Sequence, residues 1–231
     1  MLEKITISPL ILTEIQCKAY SECVEKFGDV QEYVEMYSNY CTVTEGLVAD
    51  LGSGDCQYII GLAKLYPNLR FHCYELSDAM IALSETKINA AGLADRIRVI
   101  KGDALEIKGT YDLLLANRFI HRCYDVPKFW QVANEVSKNL FVTDHYRPET
   151  EEQLNEIVKM AHDHLTEARE WNQLTFDESV IPVEYIFNQF KSALAASHTI
   201  SEVQEQIASY GYNIYHRDTG HLIPEGDFLV K

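Results

Sequence analysis

The sequence has no apolar run long enough to cross a membrane. Its opening, MLEKITISPLILTEIQ, is broken by Glu3, Pro9 and Glu14, well short of the roughly 20 residues that a spanning helix needs. The same interruptions argue against a secretory leader, and the chain is expected to be cytoplasmic. Positive charge is scarce. Against 35 Asp and Glu stand 20 Lys and Arg, a net charge of -15, and such a field opposes the phosphate neutralisation that nucleic-acid binding requires. Neither nucleic acid nor membrane is expected as a partner; an acidic surface suits a small neutral or cationic molecule. The six cysteines, Cys17, Cys23, Cys41, Cys56, Cys73 and Cys123, form no CxxC pair and have no metal-type spacing, which fits reduced thiols without a disulfide framework. Internal repeats and low-complexity stretches are also missing.

What remains is a globular composition, 47% hydrophobic and 24% charged, sufficient for an α/β core. At 231 residues one core with an inserted elaboration is the expectation, as a monomer or a homodimer. Helical patterns over 13–26 and 31–38 precede the first strand, the first with Ile15, Tyr20, Cys23 and Val24 as an apolar stripe. From Leu47 onward strand and helix alternate: GLVADLGSG, a helix through Leu65, LRFHCYEL, a helix through Ala91, IRVIKGDA, YDLLLANR, a helix over Phe129 to Lys138, then NLFVTDHY. Such alternation means parallel strands joined by helical crossovers, and the apolar runs Leu113 to Ala116 and Leu140 to Val142 read as strands buried on both faces.

Two helical stretches follow, Glu149 to Glu170 and Val183 to Ala196, then a helix over Ser201 to Tyr210 with a Ser-x-x-Gln opening and Gly211 as its stop. The segments YNIYHRD and GDFLVK, separated by Gly220, Pro224 and Gly226, read as an antiparallel pair. The expected fold is a Rossmann-like three-layer α/β sandwich with a mainly parallel seven-stranded sheet and an antiparallel last strand. It divides into an N-terminal helical cap (1–46), a core (47–148), an inserted helical lid (149–200) and a C-terminal helix with strands that complete the sheet (201–231).

Residues with chemical potential fall at successive strand ends. Asp50, Gly52, Ser53 and Gly54 form a strand-to-helix turn whose glycines permit tight curvature and close ligand approach. The dinucleotide fingerprint would place a third glycine where this chain has Gln57. Glu75 ends the second strand, where a carboxylate can accept from two vicinal ribose hydroxyls. Gly102, Asp103 and Ala104 follow the third strand, and Asn117 and Arg118 the fourth.

This set, over about Leu47 to Pro148, resembles the class I S-adenosylmethionine-dependent methyltransferases. The resemblance implies that Asp50, Gly52, Ser53 and Gly54 cradle the methionine part of S-adenosyl-L-methionine, Glu75 holds the ribose and Asp103 meets adenine. Leu76 and Met80 would lie on the adenine face or pack beneath the helix. One departure stands before the fifth strand, where many relatives carry a glycine turn and this chain has Val136-Ser137-Lys138-Asn139.

Singly, Asp50, Glu75 and Asp103 could be turn formers; at three successive strand ends coincidence is a poor explanation. Cys56 at a helix start is expected to be packed rather than nucleophilic, and Tyr33, Tyr37 and Tyr40 to be core rather than a cofactor cap. His162-Asp163-His164 could suggest a metal cluster, yet on a helix residues two apart diverge, so no metal is expected. His121, Asp144 and His145 are the candidates for proton handling, since strands four and five end beside the cofactor crevice. The expected activity is methyl transfer to a small-molecule O, N, S or C atom. A non-catalytic S-adenosylmethionine-binding subunit or sensor, and a nicotinamide-dependent oxidoreductase, are the alternatives.

Overall fold

The computed structural model describes residues 13–27, 30–170, 183–210, 214–218 and 225–230. Two helices, α1 (Glu14–Phe27) and α2 (Val30–Tyr40), lead into β1 (Glu45–Leu51). Then come α3 (Gln57–Leu65), β2 (Asn68–Glu75), α4 (Asp78–Ala90), β3 (Ile97–Lys101), β4 (Leu113–Asn117), α5 (Val126–Val136) and β5 (Leu140–His145). The remaining elements are α6 (Glu151–Glu170), α7 (Val183–Ala196), α8 (Ile200–Ser209), β6 (Ile214–Asp218) and β7 (Glu225–Val230).

The five strands β3, β2, β1, β4 and β5 lie side by side in parallel, a Rossmann-like sheet whose order reverses between β1 and β4. Beyond β5, β7 pairs antiparallel with it, and β6 pairs antiparallel with β7. Alternate residues of β1 separate the two faces. Val48 packs with α2 and α3 through Tyr33, Tyr37, Ile59 and Leu62, whereas Ala49 and Leu51 pack with α5 and α8 through Phe129, Trp130, Val203 and Ile207. The sheet is therefore covered by helices on both faces, which is why Leu113 to Ala116 and Leu140 to Val142 are buried throughout.

Several boundaries follow side-chain chemistry that the periodicity did not reveal. Helix α5 starts at Val126, three residues before the expected Phe129, because Asp125 caps it by accepting from Lys128 N at 3.0 Å and Pro127 favours a first turn. It stops at Val136, where Ser137 turns extended. The capping box of α8 is Thr199 with Glu202, two residues ahead of the expected Ser201, and the helix begins at Ile200; Gly211, Gly220 and Pro224 lie outside the described residues.

Helix α1 departs most. Ile15 and Tyr20 of the expected apolar stripe are exposed, and the buried face carries Cys17, Ser21 and Val24. Small side chains on that face let α1 approach closely, and the Ser21 hydroxyl, donating to Asp55 at 2.7 Å, removes the cost of burying it. The Cys23 side chain is outside the described residues. Tyr33 and Tyr37 are core residues, their rings edge-on to Phe141.

Candidate functional site

The loop after β1 is built from backbone that few side chains tolerate. Gly52, Gly54 and Cys56 all have positive φ, at 67°, 54° and 59°, and the first two owe this to the missing Cβ. Carbonyl Tyr74 O accepts from Gly52 N at 2.9 Å and from Ser53 N at 3.1 Å, fastening the loop to the end of β2. A Cβ on Gly52 would come within 2.7 Å of the Phe119 ring, whereas one on Gly54 would meet nothing within 4 Å. Gly54 thus faces open space, as a loop that admits a ligand to its backbone must. Ser53 Oγ is buried and has no hydrogen-bond partner among the described residues.

Glu75 closes on this loop. Its Oε2 accepts from Gly54 N at 3.0 Å, and its Oε1 accepts from Leu76 N at 2.8 Å and Ser77 N at 2.9 Å. Burial pushes the Glu75 carboxyl up, against the opposing pull of those three N–H groups. Beneath it Asp50 is buried, and desolvation raises its carboxyl to about 7, with the Glu75 charge adding to the effect. Two acids thus share one turn, and burial raises the carboxyl of each.

Around the next strand ends, Gly102 N donates to Glu75 O at 3.1 Å, and Asp103 caps a short 3-10 turn by accepting from Leu105 N at 2.9 Å. The second oxygen of Asp103 accepts from Tyr124 OH at 2.7 Å, a partner that nothing in the local sequence announces. Ala104 is buried, Leu76 is exposed, and Met80 is packed with Cys17, Ala79 and Leu83 where α1 meets α4. Asn117 accepts from the Thr143 hydroxyl at 2.5 Å. Arg118 has φ 52°, its N–H held by Thr143 O at 2.6 Å, and its guanidinium donates to Tyr58 OH at 3.1 Å while lying 5.8 Å from that ring's centroid.

His121, Asp144 and His145 are brought together. His121 follows β4 in a short 3-10 turn, while Asp144 and His145 are the last two residues of β5 rather than lying past it. Asp144 Oδ1 stands 2.5 Å from His121 Nδ1, its Oδ2 accepts from His121 N at 3.0 Å, and its Oδ1 also accepts from His145 N at 2.8 Å. Burial alone would raise the Asp144 carboxyl, but the two imidazoles and the His121 N–H outweigh it and hold it at about 2. His145 lies with its ring centroid 5.2 Å from that of His121 and 6.2 Å from Phe190 of α7. Desolvation, reinforced by His121, Arg118 and Arg122, drives its pKa well below 6.5 despite Asp144, so the ring is neutral at pH 7.

Asp55 was not among the expected site residues, yet it joins three elements. It is buried at 3% exposure and accepts from Ser21 Oγ of α1 and Lys87 Nζ of α4 at 2.9 Å, while Gln57 Nε2 reaches it at 2.5 Å and also donates to Ser21 O at 3.1 Å. Its one sequence signal was an acid directly after the second glycine. Gln57, standing where the dinucleotide fingerprint has glycine, thereby ties α1 to the loop. Cys56 is buried, as expected of a packed thiol. His162 and Asp163 are exposed, the His164 side chain is outside the described residues, and among the described residues no cluster could hold a metal ion. Nor is any described helix long and apolar enough to cross a membrane. A polar surface cleft lined by Glu45, Asn68, Arg70, Arg96 and Asp112 lies at the opposite, N-terminal ends of the strands and contains none of the expected site residues.

The fold is widely shared. A putative O-methyltransferase from Nostoc punctiforme is similar with TM-score 0.62 at 15% identity, over 94% of this chain and 59% of that one. An S-adenosylmethionine-dependent methyltransferase from Aquifex aeolicus gives TM-score 0.61 at 13% identity, over 95% and 98%. CalO1, a methyltransferase of calicheamicin biosynthesis solved with S-adenosylhomocysteine bound, gives 0.56 at 17%, over 90% and 57%. This chain thus spans under two thirds of the first and third. Residues 49–140 match the family model described as a methyltransferase domain, the stretch that holds the glycine loop and the acids at the ends of β1, β2 and β3. That match is what the chain shares with methyltransferase domains; beyond it the likeness to the solved methyltransferases is one of fold.

Proposed function

We propose that the protein transfers a methyl group from S-adenosylmethionine to a small-molecule acceptor, through an O, N, S or C atom, in the cytoplasm. The observation that carries this reading is the convergence of Asp50, Glu75 and Asp103 at neighbouring strand ends around a loop with open space above Gly54. The O-methyltransferases among the solved neighbours favour oxygen as the acceptor atom.

In this reading Asp50, Gly52, Ser53 and Gly54 cradle the methionine part, and Ser53 Oγ, buried without a partner among the described residues, is a donor suited to its carboxylate. Glu75 takes the ribose hydroxyls, its oxygens accepting from them on the lone pairs left beside the Leu76, Ser77 and Gly54 N–H groups. Gly102, Asp103 and Ala104 line the adenine end, with Leu76 and Met80 bordering it; Asn117 and the Arg118 backbone close the crevice at β4. S-adenosylmethionine supplies an electrophilic methyl carbon on a sulfonium. The protein holds the acceptor in line with it and excludes water. Bound there, the cofactor would supply the methyl carbon to the acceptor's lone pair, with sulfur as the leaving group that keeps the carbon–sulfur electron pair. An acceptor that must shed a proton gives it to neutral His145, while Asp144 fixes His121 beside it.

The sheet used for this is taken as seven-stranded with its last strand antiparallel, supported by the pairing of β5 with β7. Residues 1–46 are read as cap, 47–148 as cofactor core, 149–200 as lid and 201–231 as the completion of the sheet. The contact of Phe190 with His145 supports the lid assignment. Amide exchange over Glu149 to Ser197 should slow when ligand binds, and equal exchange with and without ligand would make α6 and α7 mere scaffold. The test of the activity is release of S-adenosylhomocysteine over a panel of small hydroxyl, amine and thiol acceptors. Turnover with at least one is the expected result; tight cofactor binding without turnover on any would make the chain a binding subunit.

A further inference from the structure

The loop between β4 and α5 sets one aromatic side chain against Asp103. Cys123 N donates to Ile120 O at 3.0 Å, closing the 3-10 turn that follows β4, and Asp125 opens α5, its carbonyl accepting from Phe129 N at 3.0 Å. Tyr124 stands between these two fixed points. Two strands, β2 and β1, lie between β3 and β4, so the loop returns across the strand ends to bring the Tyr124 hydroxyl to Asp103 Oδ2, to which it donates at 2.7 Å.

That bond fixes the polarity of both groups. Asp103 Oδ1 already accepts from Leu105 N at 2.9 Å, so the carboxylate is held through both of its oxygens. The tyrosine hydroxyl has a single hydrogen, which points at Asp103, and its oxygen keeps only acceptor capacity. The same bond pushes the phenol up to about 12, so its proton stays in place at neutral pH. Together the two side chains offer oxygen lone pairs and no hydrogen. Apolar surface accompanies them: Tyr124 is 53% exposed although its hydroxyl is bonded, and Leu76 is 40% exposed. Gly102 N, donating to Glu75 O at 3.1 Å, joins the residues that precede Asp103 and Leu76 and so keeps the acid and the apolar side chain at one end of the sheet.

We propose that Tyr124 selects the base of the cofactor, stacking its ring on a purine and, with Asp103, presenting an acceptor-only edge that takes a 6-amino group and rejects a 6-oxo group. The inference rests on the proposed reading in placing the base at Asp103. An amine at position 6 brings hydrogens to that edge. A carbonyl there sets its oxygen against a carboxylate and a phenol oxygen, and polar groups desolvated without a partner are costly. Stacking is indifferent to base identity, because every base has a π face. The ring thus supplies affinity, and the hydroxyl supplies the choice.

The test is calorimetric titration of the full chain with S-adenosylhomocysteine and S-inosylhomocysteine, in wild type, Tyr124→Phe and Tyr124→Leu. Wild type should prefer the adenosyl ligand by about tenfold or more, the worth of a hydrogen bond to a charged acceptor. Tyr124→Phe keeps the ring and should narrow that preference by about threefold or more. Tyr124→Leu should in addition weaken both ligands by about tenfold, as loss of a stacked ring requires. The side chain is half exposed, so both variants should unfold at the wild-type temperature. A substitution that merely disturbed the fold would weaken both ligands alike and leave their ratio unchanged. An unchanged ratio in Tyr124→Phe, or unchanged affinities in Tyr124→Leu, would overturn the proposal, and binding of S-adenosylhomocysteine in the same titrations would leave the cofactor reading standing. No binding of either ligand by wild type would overturn both.

Discussion

The backbone N–H of Gly54 donates to Glu75 Oε2 at 3.0 Å, so the loop after β1 and the acid that ends β2 form one unit before any ligand arrives. The space around the two glycines of that loop separates their roles. Gly54→Ala has room for its methyl group and should cost only the strain of a left-handed alanine, about 1 kcal/mol. Gly52→Ala must also displace the Phe119 ring and should cost more. Thermal unfolding checks the order of stability, and calorimetry should show Gly54→Ala weakening S-adenosylhomocysteine binding despite its milder effect on the fold. Unchanged affinity would mean that the open space above Gly54 is not the ligand's.

Asp50 should tie cofactor affinity to pH. Its carboxyl titrates at about 7 in the folded chain, against about 3.9 in an unfolded one. Between those values the folded state binds the extra proton, so this group's contribution to stability falls as pH rises and is lowest above 7. A cationic ligand favours the ionised form, so affinity for S-adenosylhomocysteine, with its ammonium group, should climb from pH 6 to pH 8, as roughly one pKa unit on either side of the transition requires. Asp50→Asn should flatten that climb and raise the ligand-free Tm more at pH 8 than at pH 5, a contrast set by about two units of pH across the transition.

Asp55 should hold α1 on the loop. In Asp55→Asn the Lys87 ammonium loses its charged partner, and because Lys87 is only partly buried the expected loss is about 2 kcal/mol, below that for a fully buried pair. Limited proteolysis should then cut within α1 at a rate that wild type does not show. Intact α1 and wild-type stability would reduce Asp55 to an ordinary buried acid.

For the histidines the observable is the pH–rate profile at saturating cofactor. With the His145 pKa well below 6.5, the base form persists on acidification, so no acid limb should appear near pH 6.5. Stability takes the same sign: the unfolded imidazole, at about 6.5, binds protons more readily than the folded one, so acid below that value destabilises the fold. His145→Ala should lower kcat by roughly 10²–10⁴ if the acceptor must lose a proton, with cofactor affinity unchanged. His121→Ala, acting through its neighbour, should have the smaller effect. Wild-type rates in both variants would leave the pair as packing at the end of β5.

The alternation of strand and helix, the glycine loop and the strand-end acids were legible because each is a local pattern whose meaning depends on a few neighbouring residues. Partners distant in sequence were not. Ser21 and Lys87 lie 34 and 32 positions from Asp55, and only the packing of α1 and α4 against the loop makes them neighbours. Exposure of Ile15 and Tyr20 was missed for a related reason: hydrophobicity alone assigns them inward, but close approach of α1 favours the small Cys17 and Ser21. The strained Arg118 backbone had no signal either, since neither glycine nor asparagine marks it. The early start of α5 could have been read from Asp125 and Pro127, which are a cap and a first-turn residue.

The most direct test of the account is calorimetric titration of S-adenosylhomocysteine into the wild-type chain and into a folded Glu75→Ala variant. If the crevice at the ends of β1, β2 and β3 is the cofactor site, wild type binds one equivalent and the variant binds more weakly by about 1.5–3 kcal/mol, the scale of hydrogen bonds to a charged group. Equal affinity in the two proteins would remove Glu75 from the site, and no binding by wild type would contradict the account as a whole.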